Sequence, residues 1–327
     1  MMKTVWQIMM VIIVAIGLIQ PGQFFAQTIE VDKNLPEYQK TIGISGNANS
    51  IGSDTMNNLM ALWLEEFNNS YPLVNIQIEG KGSSTAPPAL IEGTAQFGPM
   101  SRPMKAKEID AFETKYGFKP TVIRTSLDAL AVFVHKDNPL DCLSLQEVDA
   151  VFSRNRKRNF PNDIITWDQL GLVKEWSNKP LSIYGRNSAS GTYGFFKDQV
   201  LDKGDYKDTV KEQPGSASVV QGITEDKYGI GYSGIGYKTS GVKAVALSKK
   251  KDGNCFEGSY ENVISDKYPL SRYLFLYIVK HPNKPLDPLV KEFITFVLSK
   301  EGQQIVVKDG YLPLPETVVQ EELKKLN

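Results

Sequence analysis

The stretch Leu181-Ser182-Ile183-Tyr184-Gly185-Arg186-Asn187-Ser188-Ala189-Ser190-Gly191-Thr192 reads as strand, loop and helix start in one run. Leu181–Tyr184 is β-like, and the residues after Thr192 carry Phe195, Phe196 and Val200 at helical spacing, predicting a helix over Gly191–Leu201. Between them every side chain is small except Arg186. Such a loop sets backbone N–H groups, hydroxyls and the positive end of a helix dipole at the carboxyl end of a strand, where open α/β sheets bind anions. Ser190 also reads as an ordinary N-cap.

The pattern recurs twice upstream. A strand predicted over Thr41–Ile44 leads through Gly46 to Gly52-Ser53-Asp54-Thr55, ahead of a helix from Met56 whose Leu59, Trp63 and Phe67 form one stripe. A strand over Val74–Ile78 leads to Gly80-Lys81-Gly82-Ser83-Ser84-Thr85, followed by Ala86-Pro87-Pro88, where proline suits a first helical turn. Capping alone accounts for any one of these loops. Repeated, and with the planar Arg186 fork in one of them, they point to a shared oxyanion site.

Beyond about residue 40, β-like runs alternate with helical periods, which predicts an α/β fold. The other β-like runs are Val122–Thr125, Ala129–Val134, Val242–Leu247 and Tyr273–Val279; the other helices are Lys105–Tyr116, Leu145–Phe152, Ser216–Glu225 and Pro288–Leu298. Ala129–Val134 and Leu274–Val279 are continuously apolar, as in strands covered on both faces. If both cross between lobes, residues 40–135 with 273–327 form one lobe and 136–272 the other; one continuous sheet is the alternative.

Composition narrows the function. The 327 residues hold 37 Lys+Arg against 37 Asp+Glu, so no general positive field marks the chain for nucleic acid, and the basic run Arg154–Arg158 reads as solvated surface. With two His and two Cys, no HExxH and no CxxC, neither a metal site nor a cofactor is expected. Gly229-x-Gly231-x-x-Gly234 precedes strand-like sequence rather than a helix, so it is read as a turn-rich strand and not a dinucleotide fingerprint. Residues 1–26 read as a secretory signal peptide: Lys3 is followed by the apolar run Val5–Ile19 and a break at Gln20-Pro21-Gly22, with cleavage after Ala26. That places the protein in the periplasm or outside the cell, where a Cys142–Cys255 disulfide would persist.

Taken in order, Gly52–Thr55, Gly82–Thr85, Phe97-Gly98-Pro99-Met100-Ser101-Arg102-Pro103, Phe152-Ser153, Trp167–Gly171, Arg186-x-x-x-Ser190-Gly191-Thr192, Tyr268-Pro269-Leu270-Ser271-Arg272 and Leu298–Gln303 resemble the periplasmic phosphate-binding proteins of ABC importers. The resemblance runs from about residue 41 to 316 and implies a type II periplasmic binding fold, two α/β lobes joined by two crossing strands, with one inorganic phosphate between them. It implies phosphate contacts from Thr55, the Met56 N–H, Ser83, Arg186, Ser190, Gly191 and Thr192. It further implies delivery to an ABC permease, a monomer, and no catalysis, so no catalytic residue is assigned. Ser101 stands where family members often carry an Asp that accepts the proton of hydrogen phosphate. Asp54 is the expected substitute, with Arg102 to hold it, and Asp128 the second candidate. The competing readings are a secreted phosphatase-like hydrolase with a Ser nucleophile, disfavoured by the absence of a GxSxG elbow, and a binder of another tetrahedral oxyanion such as sulfate.

Overall fold

The structure, a computed structural model, describes residues 29–327, so the expected leader lies outside the described residues. In chain order the strands are β1 (Gly46–Ile51), β2 (Val74–Glu79), β3 (Gly98–Met100), β4 (Thr121–His135), β5 (Cys142–Ser144), β6 (Ser182–Arg186), β7 (Lys211–Gln213), β8 (Gly229–Gly234), β9 (Val242–Ala244), β10 (Ala246–Ser248) and β11 (Ser271–Ile278). The α-helices are α1 (Asn57–Ser70), α2 (Ala86–Glu92), α3 (Ala106–Tyr116), α4 (Leu145–Phe152), α5 (Gly191–Gln199), α6 (Ser216–Glu225), α7 (Tyr260–Ile264), α8 (Pro288–Val297), α9 (Lys300–Lys308) and α10 (Glu316–Lys324). Within the described residues no helix is long and apolar enough to cross a membrane.

The main sheet runs β3-β11-β4-β8-β6-β7, with β9 also on β4; β1–β2 and β5–β10 are separate parallel pairs. Its spine is β4, a 15-residue strand. Thr121–Ala129 of β4 pairs antiparallel with β11, whereas Leu130–Val134 pairs with β8 and Phe133–His135 with β9. The strand thus changes partners between Ala129 and Leu130, within one seven-stranded sheet. Ala129–Val134 is almost wholly inaccessible, as its unbroken apolar sequence predicts. Val122–Thr125 and Ala129–Val134, read as separate runs, are one strand, because the intervening Asp128 is neutralised across the ladder by Arg272.

Other boundaries also moved. The first strand is not Thr41–Ile44: Gly43 adopts a φ of +88° and Ile42 is 97% exposed, so the chain turns there. The strand is instead the polar run Gly46-Asn47-Ala48-Asn49-Ser50-Ile51, held by its parallel register with β2 rather than by its own hydrophobicity. Val242–Leu247 divides at Val245, since β9 pairs with β4 and β10 with β5. Gly229–Gly234 is strand β8, entirely buried. Helices α4 and α6 match their expected spans, and α1 buries Leu59, Trp63 and Phe67. Trp63 Nε1 donates to the Gly302 carbonyl at 2.8 Å, and the Phe67 ring stands edge-on to Phe293, so α1, α8 and α9 share one core. Each such large side chain contributes roughly 1.5–3 kcal/mol by leaving water.

Both chain ends of the described region are tied down. Tyr38 Oη donates to Glu292 at 2.6 Å and the Lys300 N–H to the Pro36 carbonyl at 2.8 Å, while residues 316–324 form α10. Cys142 and Cys255 are bonded, pinning the loop after β10 to β5. The basic run is tied to its own surroundings: Arg154 pairs with Asp208, Arg156 with Asp163, and Arg158 donates to the Val200 and Gln199 carbonyls.

A candidate anion site at the meeting of three helix starts

The three small-residue loops converge. Asp54–Met56 and Ser83–Thr85 are single 3₁₀ turns leading into α1 and α2, and Ser190 is the N-cap of α5. Thr55 Oγ1 lies 2.8 Å from Thr192 Oγ1, and Ser83 Oγ 3.3 Å from Ser101 Oγ. These four hydroxyl-bearing residues, with Ser190 and Arg186, are all buried. The loops of the two halves touch directly, for the Ser84 N–H donates to the Ala189 carbonyl at 3.1 Å. Gly191 is required by this approach: a Cβ there would lie 2.2 Å from Ser83 Oγ and 2.6 Å from Ser101 Oγ. Gly82, at φ +110°, faces Ala189 at similar range.

Hydrogen-bond direction defines what these groups offer. Ser190 Oγ accepts from the Thr192 and Tyr193 N–H groups, so the capping role seen in the sequence holds and only its proton is left to give. Ser83 Oγ accepts from the Ser101 N–H at 3.0 Å, leaving the Ser83 proton likewise. The Met56 N–H donates to the Ser53 carbonyl at 3.2 Å and the Thr192 N–H to Ser190, so both are engaged within their own turns rather than turned wholly outward.

Arg186 supplies the charge. Its Nη1 donates to Ser216 Oγ at 2.6 Å and its Nη2 to the Pro214 carbonyl at 3.1 Å, while Asp54 Oδ1 stands 3.1 Å from Nη2. Nε is buried and has no hydrogen-bond partner among the described residues. Burial pulls the guanidinium below its usual pKa, and the Asp54 carboxylate opposes that pull. An unpaired donor on a buried cation is costly, of order 1–3 kcal/mol, unless an acceptor reaches it.

The acceptor expected from Asp54 is differently used. Its Oδ1 takes the Ser216 N–H at 2.7 Å and pairs with Arg186, so it latches the first loop to the opposite half. Arg102 does not hold it: that guanidinium makes a two-pronged pair with Glu108, both contacts 2.7 Å, because Glu108 sits in the first turn of α3 directly beside it. Asp128 is committed as well, accepting from Arg272 Nε at 2.8 Å and the Ile235 N–H at 3.0 Å. Ser101 is therefore the polar side chain at the departure position, and its Oγ faces Ser83.

Three contributors escaped the sequence reading. Arg272 donates to Thr192 Oγ1 at 3.0 Å and to the Ser101 carbonyl at 2.9 Å. Tyr311 Oη donates to the Thr55 carbonyl at 2.8 Å, and Ser216 receives Arg186. The available signal was a lone charge inside an apolar strand, Arg272 ahead of Tyr-Leu-Phe-Leu and Asp128 ahead of Ala-Leu-Ala-Val.

This architecture is that of the periplasmic solute-binding proteins, and residues 43–301 match the profile of the PBP superfamily domain. The chain is 57% identical over 296 residues to the phosphate-binding protein PstS of Pseudomonas aeruginosa, covering 90% of this chain and 92% of that one. It belongs to the PstS phosphate-binding protein family. A crystal structure from Clostridium perfringens with bound phosphate, described as a phosphate ABC transporter substrate-binding protein, superposes with a TM-score of 0.69 at 26% identity, over 82% of this chain and 100% of the other. An ABC-type phosphate transport receptor from Vibrio cholerae shares the fold at a TM-score of 0.62 and 20% identity, over 82% of this chain and 100% of that one.

Proposed function

We infer that the cleft holds one inorganic phosphate and that the chain is the phosphate-binding component of an ABC phosphate transporter, a solute-binding protein rather than an enzyme. The observation that carries this is the buried Arg186, its Nε without a partner among the described residues, paired with Asp54 of the loop whose Thr55 meets Thr192 across the cleft. One guanidinium and oriented neutral donors suit a dehydrated dianion, which a protein with no net charge has no long-range field to retain. In this reading Arg186 neutralises, the hydroxyls donate, Gly191 lets the halves close, and Asp54 holds Arg186. Met56 contributes from the start of α1, and Ser101 takes the place of the family's acidic acceptor.

The same reading assigns the lobes to residues 40–135 with 273–327 and to 136–272, supported by the change of partners along β4. It further takes the protein as an exported monomer that docks on a membrane permease. The test is phosphate assayed in the acid-denatured supernatant of freshly purified protein, where close to one equivalent is expected. Steady release of product from a chromogenic phosphate ester would instead favour a hydrolase. Because both nearby aspartates are engaged by arginines, sulfate is a second candidate ligand, and competition calorimetry near neutral pH separates the two.

A further inference from the structure

Arg272 is the second residue of β11, directly opposite Asp128 in the β4 ladder. The pair is buried, Arg272 3% and Asp128 0% exposed at the side chain, with Nη2 2.7 Å and Nε 2.8 Å from the same Oδ2. The remaining donors go to opposite halves: Nη1 to the Ser101 carbonyl at 2.9 Å and Nη2 to Thr192 Oγ1 at 3.0 Å. The guanidinium also lies over the Phe195 ring, 5.1 Å from its centroid, which fixes its plane. A guanidinium only donates, so Thr192 Oγ1 must accept from it. The Thr192 proton is then left for a third partner, either Thr55 Oγ1 at 2.8 Å or an oxygen of a bound anion.

We propose that Arg272, oriented by Asp128, is a positioning residue for the anion site: it forces the Thr192 hydroxyl to act as a proton donor into the cleft and ties that orientation to the closed contact between the halves. The proposal rests on the phosphate-binding reading of this cleft. It differs from the role of Arg186, because every Arg272 nitrogen is already paired inside the protein.

The test is a double-mutant cycle on the Kd for inorganic phosphate, measured by calorimetry on the full exported chain with wild type, R272Q, T192V and R272Q/T192V. Each single change is expected to weaken binding about tenfold, and the double variant to be no weaker than about either single one, because both remove the same oriented proton. A merely structural role moves thermal stability but leaves the two effects multiplicative. Multiplicative losses, or unaltered affinity in R272Q, overturn the proposal while leaving phosphate binding intact. A wild-type protein that takes up no phosphate overturns the functional reading and this proposal with it. If R272Q does not fold, the cycle is run with R272K, which keeps the charge but not the two-sided reach, and the same non-additivity is expected.

Discussion

Arg186 and Arg272 invite comparison, since both are buried, both pair with an aspartate, and both stand beside Thr192 or the loop that carries it. They spend their donors differently. Asp128 faces Arg272 from the neighbouring strand, and all three guanidinium nitrogens are satisfied by protein atoms. Asp54 reaches Arg186 from the loop ahead of α1, and Nε has no partner among the described residues. The first pair is part of the frame, and in the function proposed above the second is completed by the bound anion. Arg102, locked to Glu108 on α3 and donating to Ser84 Oγ at 3.2 Å, is a third guanidinium spent within the protein.

The sharpest way to break this comparison is to remove the two aspartates. Asp128→Ala strands a buried cation and is expected to cost about 3–5 kcal/mol in urea unfolding. Asp54→Ala, whose side chain is 23% exposed and whose partner keeps Ser216 and Pro214, should cost clearly less. Equal losses would erase the distinction. Arg186→Ala comes next: it should weaken phosphate binding about a hundredfold, or about 3 kcal/mol, by calorimetry.

Gly191→Ala probes the closeness on which the Arg186 arm depends. The added methyl would sit 2.2 Å from Ser83 Oγ, so the loops must part, and an affinity loss of about tenfold is expected from the same titration. The smallest effect concerns an acid that has no guanidinium. Burial pushes the Asp309 carboxyl up to about 6, opposed only by a hydrogen bond from Asn58. Its folded value exceeds the unfolded value of about 4, so its stabilising contribution is complete below that pH and is lost as pH rises through about 6. Asp309→Asn should remove that decline, gaining about 2 °C in melting temperature over wild type at pH 7.5 and nothing at pH 4.

The contrast also shows what local sequence can carry. The loops around Thr55, Ser83 and Ser190 were legible because each is a contiguous strand, glycine and hydroxyl segment whose chemistry lies in its own letters. Helices with a clear stripe, such as Leu145–Phe152 and Ser216–Glu225, were legible for the same reason. Strand β1 was not, because its stability comes from β2 and its letters are Asn and Ser. Arg272 was hidden in a further way: its meaning depends on Asp128, which becomes its neighbour only once β4 and β11 are in register. The partner of Arg102 was misjudged because a carboxylate six positions downstream, brought round by the first turn of α3, outcompetes one on another loop of the same half.

Strand β4 has a mechanical corollary. Because one unbroken segment serves as a sheet member on both sides of Ala129, neither half can be cut out with its hydrogen-bonding complete, and a fragment that begins after β4, at residue 136, would expose a raw edge along β8. Any gaping of the molecule must be absorbed as twist or flexure of the β4–β11 ribbon, like a leaf spring, rather than as swing about a slack tether. The Arg272–Asp128 clasp spans that ribbon one residue before β4 changes partners, so it staples the two strands together beside the change.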